Sequence, residues 1–426
     1  MYTGKIKHIH IHGLWGVKDI ETSFAPNVNI FIGQNGTNKT VFLNLLDAAL
    51  TADVKTLASI DFSQIEIFID AEVGHIRIEK ESKDSQTVIR YDFQGDVQHS
   101  VYRIDMDSYR LRRIGRSVNS DIYMLRSELK SLVNISWLSV NRDNVDLQYL
   151  DSREIVERLK NMVDIKIEEL VKSLGMYQLQ LESEANAISN DFKKEVMSMM
   201  LYDEKEDYYS GELLQRFRLV DTKELKIQLY KAFSTLGIAK DSKEAIDLHV
   251  QKIGNVIDKI ANLNLDLNDA FVLALVRRTF SIIEISQKHE EQTKILFAPI
   301  NNFWKCLKRF MPSKKFEYDK EKGELSVTLQ EDSLKEVPIS LSALSSGEKQ
   351  LFILLTEALL QRERNYLFIA DEPELSLHIK WQKMILPEML KINPNAQVIV
   401  ATHSPEVAGH YPDKIINMAN ISSYNE

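Results

Sequence analysis

The sequence predicts an α/β protein in which a helical segment interrupts a unit built from strands and helices. Alternation of apolar and polar residues, typical of half-buried strands, is frequent in residues 1–145. Glycine and proline nearly vanish from residues 146–312, where apolar residues recur at helical spacing. Residues 313–426 return to short apolar runs that alternate with helical patterns, which is typical of a parallel sheet covered on both faces. We therefore expect three segments, with boundaries near residues 145 and 312.

The composition excludes several classes of protein. The chain has 426 residues, of which 44% are hydrophobic and 27% charged, with only 15 glycines and 9 prolines, so it is neither collagen-like nor largely disordered. A net charge of −9 disfavours a broad surface for nucleic acid or anionic membrane. The single cysteine, Cys306, excludes an internal disulfide and favours a reducing compartment. Because the sequence shows neither a secretion signal nor a long apolar span, we expect a cytoplasmic protein without membrane contact.

The first segment places a glycine-containing loop between a strand and a helix. Residues 28–32 are apolar and β-branched, as in a buried strand, and a helical pattern opens near Lys39. The residues between them match the spacing G-x-x-x-x-G-K-[ST], with Asn38 in place of the last glycine. This departure is acceptable because asparagine tolerates a left-handed backbone better than most other residues. Two further alternating runs, residues 65–71 and 74–79, predict strands.

A loop of this kind binds phosphate, because glycines let backbone N–H groups turn toward an anion and the next helix adds its positive N-terminus. Lys39 would reach the β- and γ-phosphates of a nucleotide, and the Thr40 hydroxyl would ligate Mg²⁺. A simple surface turn is the alternative, but the order of strand, loop and helix favours phosphate. The candidate nucleotide-binding residues of the loop are Gly33, Asn35, Gly36, Thr37, Asn38, Lys39 and Thr40.

The middle segment predicts a helical bundle. Four of its apolar residues fall on one helical face, namely Val163, Ile167, Leu170 and Leu174. Breaks near Gly211, Gly237 and Gly254 favour a compact or short coiled-coil domain over one long hairpin. The acidic stretch 203–211 is typical of a surface turn.

The last segment ends its two apolar strands in polar side chains. The predicted elements are a hairpin (315–319 and 324–329), helices at 349–363 and 376–390, and strands at 366–370 and 397–401. Asp371 and Glu372 follow the first of these strands; Asp371 would hold Mg²⁺, and Glu372 would polarise an attacking water. A merely polar strand end is the alternative, which the Lys39 loop on the same chain disfavours. His403 follows the second strand, at the edge where the phosphate loop is expected.

A further candidate lies just before a predicted helix, in the sequence Leu-Ser-Ser-Gly-Glu-Lys-Gln of residues 344–350. Ser345 and Gly347 could simply cap the helix. The same geometry also binds an anion, because the first N–H groups of a helix and its dipole favour negative charge.

In this order, the motifs resemble those of the ATP-binding-cassette ATPases: phosphate loop, signature (344–348), Asp-Glu strand and switch histidine. The long helical insertion resembles the SMC, RecF and OLD (overcoming lysogenization defect) group rather than a transporter cassette. Residues 371–378, Asp-Glu-Pro-Glu-Leu-Ser-Leu-His, are similar to the OLD-like branch, except that Ile379 stands where a proline often follows. The signature is Leu-Ser-Ser-Gly-Glu rather than Leu-Ser-Gly-Gly-Gln. The fold implied is an ATPase head, with a parallel phosphate-loop sheet and an antiparallel β subdomain, interrupted by the helical domain.

The resemblance implies how such a head works. Two heads would face each other head to tail and sandwich two molecules of ATP with Mg²⁺. Ser345 and Gly347 of one copy would touch the γ-phosphate bound by the other, and His403 would contact the γ-phosphate of its own copy. Residues 376–378 would lie at the seam of this homodimer.

Three function classes follow from the resemblance. The first is an ATPase that regulates a separate effector, a nuclease or toxin, as in bacterial anti-phage systems such as Septu and PARIS. Because few residues follow His403, we expect no TOPRIM nuclease domain in this chain. The alternative is a RecF- or SMC-like ATPase of DNA repair or recombination. A scaffold that binds ATP but scarcely hydrolyses it is disfavoured by the intact Lys39, Asp371, Glu372 and His403.

Contact with DNA has only weak support. Five arginines lie between residues 103 and 116, and such a patch could bind a phosphate backbone or simply be solvated. A second basic cluster consists of Lys305, Lys308, Arg309, Lys314 and Lys315.

Overall fold

The computed structural model describes residues 4–70, 74–83, 86–94, 99–106, 116–139, 152–199, 201, 221–261, 267–319, 324–330 and 336–424. The strands are β1 (Ile6–Leu14), β2 (Lys18–Ser23), β3 (Val28–Ile32), β4 (Gln64–Ile69), β5 (His75–Lys83), β6 (Gln86–Gln94), β7 (His99–Asp105), β8 (Ile135–Ser139), β9 (Lys314–Asp319), β10 (Glu324–Gln330), β11 (Glu336–Ile339), β12 (Tyr366–Asp371), β13 (Ala396–Ala401), β14 (Ile415–Asn417) and β15 (Ser422–Tyr424). The helices are α1 (Lys39–Thr51), α2 (Val54–Ser59), α3 (Arg116–Leu132), α4 (Ser152–Ser198), α5 (Thr222–Thr235), α6 (Lys243–Ala261), α7 (Leu267–Phe310), α8 (Ser346–Leu360), α9 (Ile379–Ile392) and α10 (Pro405–Ala408).

The chain divides into two compact units. The first joins Met1–Gly175 to Asn302–Glu426, and the second is Met176–Asn301. Both boundaries fall inside long helices, α4 and α7. The predicted boundary near residue 145 lies outside the described residues, and the three-segment division stays a prediction.

A five-stranded parallel sheet forms the centre of the first unit. Its strand order is β14-β3-β13-β12-β8, and every neighbouring pair is parallel. β13 is buried along its whole length and β12 along most of it, which explains their continuous apolar sequences. The carboxyl ends of β3, β13 and β12 therefore meet at one edge, where parallel sheets of this kind bind ligands.

A seven-stranded antiparallel sheet, ordered β15-β2-β1-β4-β5-β6-β7, lies in the same unit. Ile9 and Ile11 of β1 are buried in the core on one face, as the alternation predicted. The buried Gln397 of β13 links the two sheets: it accepts from the Ile6 N–H at 2.8 Å and donates to the Ile6 and Ala25 carbonyls. A third sheet, β11-β10-β9, contains the predicted hairpin.

The second unit is helical, and its described core lies between α5, α6 and α7. The buried side chains of this core are Leu225, Leu229, Ile246, Val250, Ile253, Val256, Val276 and Ile283. The predicted break at Gly237 is confirmed, because this glycine has a left-handed φ of 82° in the turn between α5 and α6. The predicted break at Gly254 is wrong: α6 continues through it, since apolar packing by its neighbours outweighs a glycine cost of about 1 kcal/mol. Gly211 and the acidic stretch 203–211 lie outside the described residues.

Among the described residues, no helix combines the length and the apolar character needed to cross a membrane.

Candidate nucleotide site

The predicted phosphate loop lies between β3 and α1, at the edge where the parallel strands end. Gly36 has a left-handed φ of 83° and open space where a Cβ would lie, so its backbone can face a ligand. Asn38 has a left-handed φ of 66° and caps α1 without a side-chain hydrogen bond. Thr37 closes the turn by donating from Oγ1 to the Gln34 carbonyl at 2.8 Å. The loop thus presents the first N–H groups of α1 without a competing side-chain cap, as a phosphate site requires.

Lys39 points into this loop. Its Nζ donates to the Gly33 carbonyl at 2.8 Å and lies 2.8 Å from Nε2 of His403. The residue is only 6% exposed, and this burial lowers the pKa of its ammonium while Glu372 and Asp371 oppose the shift. Because the ammonium only donates, His403 Nε2 must be the acceptor in this contact.

Thr40 and Asp371 meet in the same place. The Thr40 hydroxyl donates to Oδ2 of Asp371 at 2.7 Å, which joins residues from α1 and the end of β12. Oδ1 of Asp371 is buried and has no hydrogen-bond partner among the described residues. A buried carboxylate oxygen beside a hydroxyl is the donor set that Mg²⁺ prefers, so these two residues fit the predicted ion.

Glu372 follows in a left-handed conformation, with φ of 51°, and its N–H donates to the Ala401 carbonyl at 2.8 Å. Its Oε1 lies 3.4 Å from Nε2 of His403. Burial raises the pKa of Glu372 to about 7, and the negative charges of Glu374 and Asp371 add to the shift. Desolvation and like charges both favour the neutral acid, so this carboxyl titrates near physiological pH.

Sequence reasoning missed Glu374, which is only 5% exposed. Its Oε1 accepts hydrogen bonds from the Thr402 hydroxyl and from the N–H groups of His403 and Ser404, the latter two at 3.2 Å. This one carboxylate therefore ties the turn after β12 to the loop that carries His403. The only sequence signal was its place in the Asp-Glu-Pro-Glu run of residues 371–374.

The signature residues begin α8. Ser345 caps the helix in a reciprocal box with Glu348, whose carboxylate also pairs with Lys314 at 2.5 Å. Gly347 is buried against the carbonyl of Ser376, and any Cβ there would collide with that oxygen. The structure thus brings Gly347 to the segment that follows the Asp-Glu pair, whereas the Ser345 hydroxyl forms its hydrogen bonds with Glu348.

Gln350 makes a second link of this kind, which the sequence did not indicate. It is buried and donates from Nε2 to the Pro373 carbonyl at 2.7 Å. Together with the Gly347 contact, this bond fixes the start of α8 on the turn that presents Glu372. His378, also predicted at the dimer seam, caps α9.

Of the two basic clusters, only the second lies entirely within the described residues. Residues 107–115, which hold most of the arginines near residue 110, lie outside the described residues. In the second cluster, Arg309 pairs with Glu388, Lys314 with Glu348 and Lys315 with Glu317. These pairs compete with a phosphate backbone for the same cations, so the second cluster gives little support for DNA contact.

Two known proteins are similar to this chain in sequence, one over most of its length and one over a third of it. It is 23% identical, over 416 residues, to the retron Vc95 probable ATPase of Vibrio cholerae serotype O1 biovar El Tor, covering 95% of this chain and 71% of that protein. It is 24% identical over 163 residues to the retron Ec83 probable ATPase of Escherichia coli, covering 33% of this chain and 30% of that protein.

Solved structures give a weaker likeness. The Smc head domain with an extended coiled coil from Pyrococcus furiosus, bound to the C-terminal domain of ScpA, is 13% identical with a TM-score of 0.43, covering 99% of this chain and 96% of that one. The Smc head domain with a coiled coil and joint from Pyrococcus yayanosii has the same identity, 13%, and a TM-score of 0.43, and covers 100% and 97%.

The family comparison covers nearly the whole chain. Residues 5–408 match the AAA ATPase domain, a span that includes the phosphate loop, the signature, the Asp-Glu pair and His403. The chain therefore belongs to the AAA ATPase domain family, which confirms the resemblance that its motifs predicted.

Proposed function

We propose that this chain binds ATP with Mg²⁺ and hydrolyses it, and that two copies close on the nucleotide to control a separate effector protein. The observation that supports hydrolysis is the gathering of Lys39, Thr40, Asp371, Glu372 and His403 at one edge of the parallel sheet. These residues lie at or after the ends of three strands, and the first of these, β3, is far from β12 and β13 in the sequence. A surface turn or a polar strand end would not need all of them in one place.

The phosphate loop and Lys39 would bind the phosphates of ATP. On binding, Lys39 exchanges its contacts with the Gly33 carbonyl and His403 for the β- and γ-phosphates. The uncapped N–H groups at the start of α1 hold the same anion. Thr40 and Asp371 would hold Mg²⁺, which neutralises phosphate charge when it is bound.

Hydrolysis needs a base for the attacking water. Glu372 is suited to this role, because a carboxyl with a pKa of about 7 both accepts a proton and returns it near neutral pH. His403 lies beside both Glu372 and Lys39, where it would contact the γ-phosphate of a bound nucleotide.

The first test separates binding from hydrolysis. Glu372→Gln keeps the side-chain volume but removes the base, so we expect ATP binding to persist while phosphate release slows by about 10²–10⁴-fold. Lys39→Ala should instead lose binding, measured by ATP titration. Glu317→Gln, an exposed change on β9, is the matched control and should behave as wild type. Undiminished phosphate release by the Glu372→Gln variant would overturn the role of Glu372.

The second test concerns Glu374. Glu374→Gln retains an oxygen that can accept from Thr402, His403 and Ser404, but it removes a negative charge beside Glu372. The pKa of Glu372 should fall, because a like charge that raised it is gone. We therefore expect the acidic limb of the pH profile of kcat to move to lower pH.

Glu374→Ala is the companion variant, since it removes the hydrogen bonds as well as the charge. We expect the kcat of Glu374→Ala to be about 10–100-fold below that of Glu374→Gln, the size of effect expected from losing hydrogen bonds to a charged group. An unchanged pH profile in Glu374→Gln would show that Glu374 acts on the fold alone.

The proposal of two cooperating copies concerns the signature. Ser345 and Gly347 begin a helix whose dipole favours an anion, and Ser345 is exposed at its start. Because Gly347 packs on Ser376 and Leu377 rather than on the phosphate loop, we infer that the signature completes the site of a second copy.

A mixing experiment tests this inference. Ser345→Arg places a bulky cation at the signature and leaves the phosphate loop intact. We therefore expect this variant to bind ATP but not to hydrolyse it. When it is mixed with Lys39→Ala, each mixed dimer has one site with an intact loop and an intact signature. We expect partial recovery of ATPase activity on mixing, and none when Lys39→Ala is mixed with the double variant. Wild-type activity of Ser345→Arg alone would exclude the two-copy site.

The choice of a regulatory role in anti-phage defence rests on the relatives, both of which are retron ATPases by name. The effector, a nuclease or toxin, would be a separate protein, and we expect no nuclease activity from this chain. A cytoplasmic location agrees with this role and stays a prediction.

The test of this role is a phage challenge of cells that carry the chain with its neighbouring gene. We expect fewer plaques only when both genes are present, and loss of protection with Lys39→Ala at equal expression. The neighbour's product should also co-purify with the Glu372→Gln variant. Protection that survives Lys39→Ala would contradict the proposal, and sensitivity to DNA damage without any phage effect would favour the DNA repair alternative.

A further inference from the structure

The outer face of the antiparallel sheet carries a row of histidines. His8, His10 and His12 alternate along β1 with Ile9 and Ile11, whose side chains are buried on the opposite face. A strand places residues two apart on the same face, so the three imidazoles form a single row.

Two neighbouring strands bring carboxylates to this row. Glu66 of β4 and Glu21 of β2 both pair with His10 in the strand register. One ligand atom each from His10, His12 and Glu66 lies within 4.8 Å of the others, and the rings of His10 and His12 have centroids 3.5 Å apart. All three side chains are partly buried.

The contact of His12 with Asp19 leaves the other ring nitrogen of His12 able to bind a metal. Its Nδ1 lies 3.2 Å from Oδ2 of Asp19, and the other oxygen of Asp19 accepts the Gly13 N–H at 2.8 Å. Donation from Nδ1 to a fixed carboxylate sets the tautomer in which Nε2 carries the lone pair.

Glu66 is oriented in a similar way. Arg77 reaches Oε1 of Glu66 from both Nε and Nη2 at 3.0 Å, and Nε2 of His75 lies 3.5 Å from the same oxygen. Because these contacts converge on Oε1, they leave Oε2 as the oxygen that could bind a metal. An oriented carboxylate and an oriented imidazole are what a preformed metal site requires.

We propose that His10, His12 and Glu66 form a zinc site that joins β1 to β4. Two imidazole nitrogens and one carboxylate oxygen are a common three-ligand set for Zn²⁺, which leaves a fourth position for water. Modest side-chain rotation would close the ligand atoms to the Zn–N and Zn–O distances of about 2.0–2.2 Å. None of its residues belongs to the parallel sheet or to the candidate nucleotide site.

His8 supplies a matched control on the same strand face. Both of its ring nitrogens are engaged, Nδ1 with Ser23 Oγ at 3.1 Å and Nε2 with Glu21 at 3.1 Å. Replacing it removes a surface imidazole next to the site without removing a proposed ligand.

The experiment measures zinc binding to the full chain after removal of any affinity tag. Metal analysis after dialysis should give about one zinc per chain, and competition with a chromophoric chelator should give its affinity. We expect His10→Ala, His12→Ala and Glu66→Gln each to weaken binding by about 100-fold or more, and Asp19→Asn by about 10–100-fold. His8→Ala and Asp371→Asn should bind zinc as wild type, the second because the proposed Mg²⁺ residues are not involved.

Circular dichroism melting in chelator separates lost ligands from lost fold, because the variants should then melt as the wild type does. Added zinc should raise the melting temperature of the wild type and not of His10→Ala. Equal losses in His8→Ala and His10→Ala would mean diffuse chelation by surface histidines and would overturn the proposal. Failure of wild type to bind zinc more tightly than a His10→Ala, His12→Ala double variant would also overturn it.

Discussion

The parallel pairing of β13 with both β3 and β12 is the constraint on which the site depends. In this register Ala401 lies beside Asp371 on one side and beside Phe31 on the other, so the three strands end level with one another. The loops that follow must leave at the same edge. Lys39 consequently meets Glu372 and His403 although most of the chain separates it from both. Buried apolar strands hold this register, because slipping it would expose their side chains or break a buried hydrogen-bond ladder.

The site also concentrates charge that its own residues do not balance. One ammonium, Lys39, interacts with Asp371 and Glu372, and the buried Glu374 adds a third carboxylate that acts on Glu372. Burial lowers the pKa of Lys39 and raises that of Glu372, because the charged form of each group is less stable here than in water. Such a group of carboxylates favours a divalent cation, and the uncapped start of α1 favours an anion. The two halves of the site therefore suit a metal–phosphate pair better than either ion alone.

The sequence predicted the strands of the site closely and the turns after them poorly. β3, β12 and β13 lie within a residue of their predicted bounds, because a fully buried strand has a continuous apolar sequence. By contrast, α9 begins at Ile379 rather than near residue 376. Ser376 adopts a left-handed φ of 71° there, and His378 caps the helix instead of lying inside it.

Local sequence patterns could not predict the conformation of these turns, because contacts with residues distant in the sequence stabilise them. Glu374 owes its importance to partners at residues 402–404, which no spacing rule connects to it. The left-handed Glu372 is likewise held by the Ala401 carbonyl on a neighbouring strand. Strained backbone of this kind costs of order 1–3 kcal/mol and persists where the surroundings determine it, commonly at functional sites.

The same turn is also where the two halves of a shared site would communicate. Gly347 packs directly on the Ser376 carbonyl, and Gln350 donates to the Pro373 carbonyl, so the start of α8 is fixed to both ends of the turn after Glu372. If the nucleotide of a second copy binds at this helix start, it contacts a segment that is closely packed against the turn after Glu372. A shift of α8 would then be felt by Glu372 and, through Glu374, by the loop of His403. Closely packed elements shift between discrete arrangements rather than deforming smoothly, so this connection is suited to switching hydrolysis on when two copies meet.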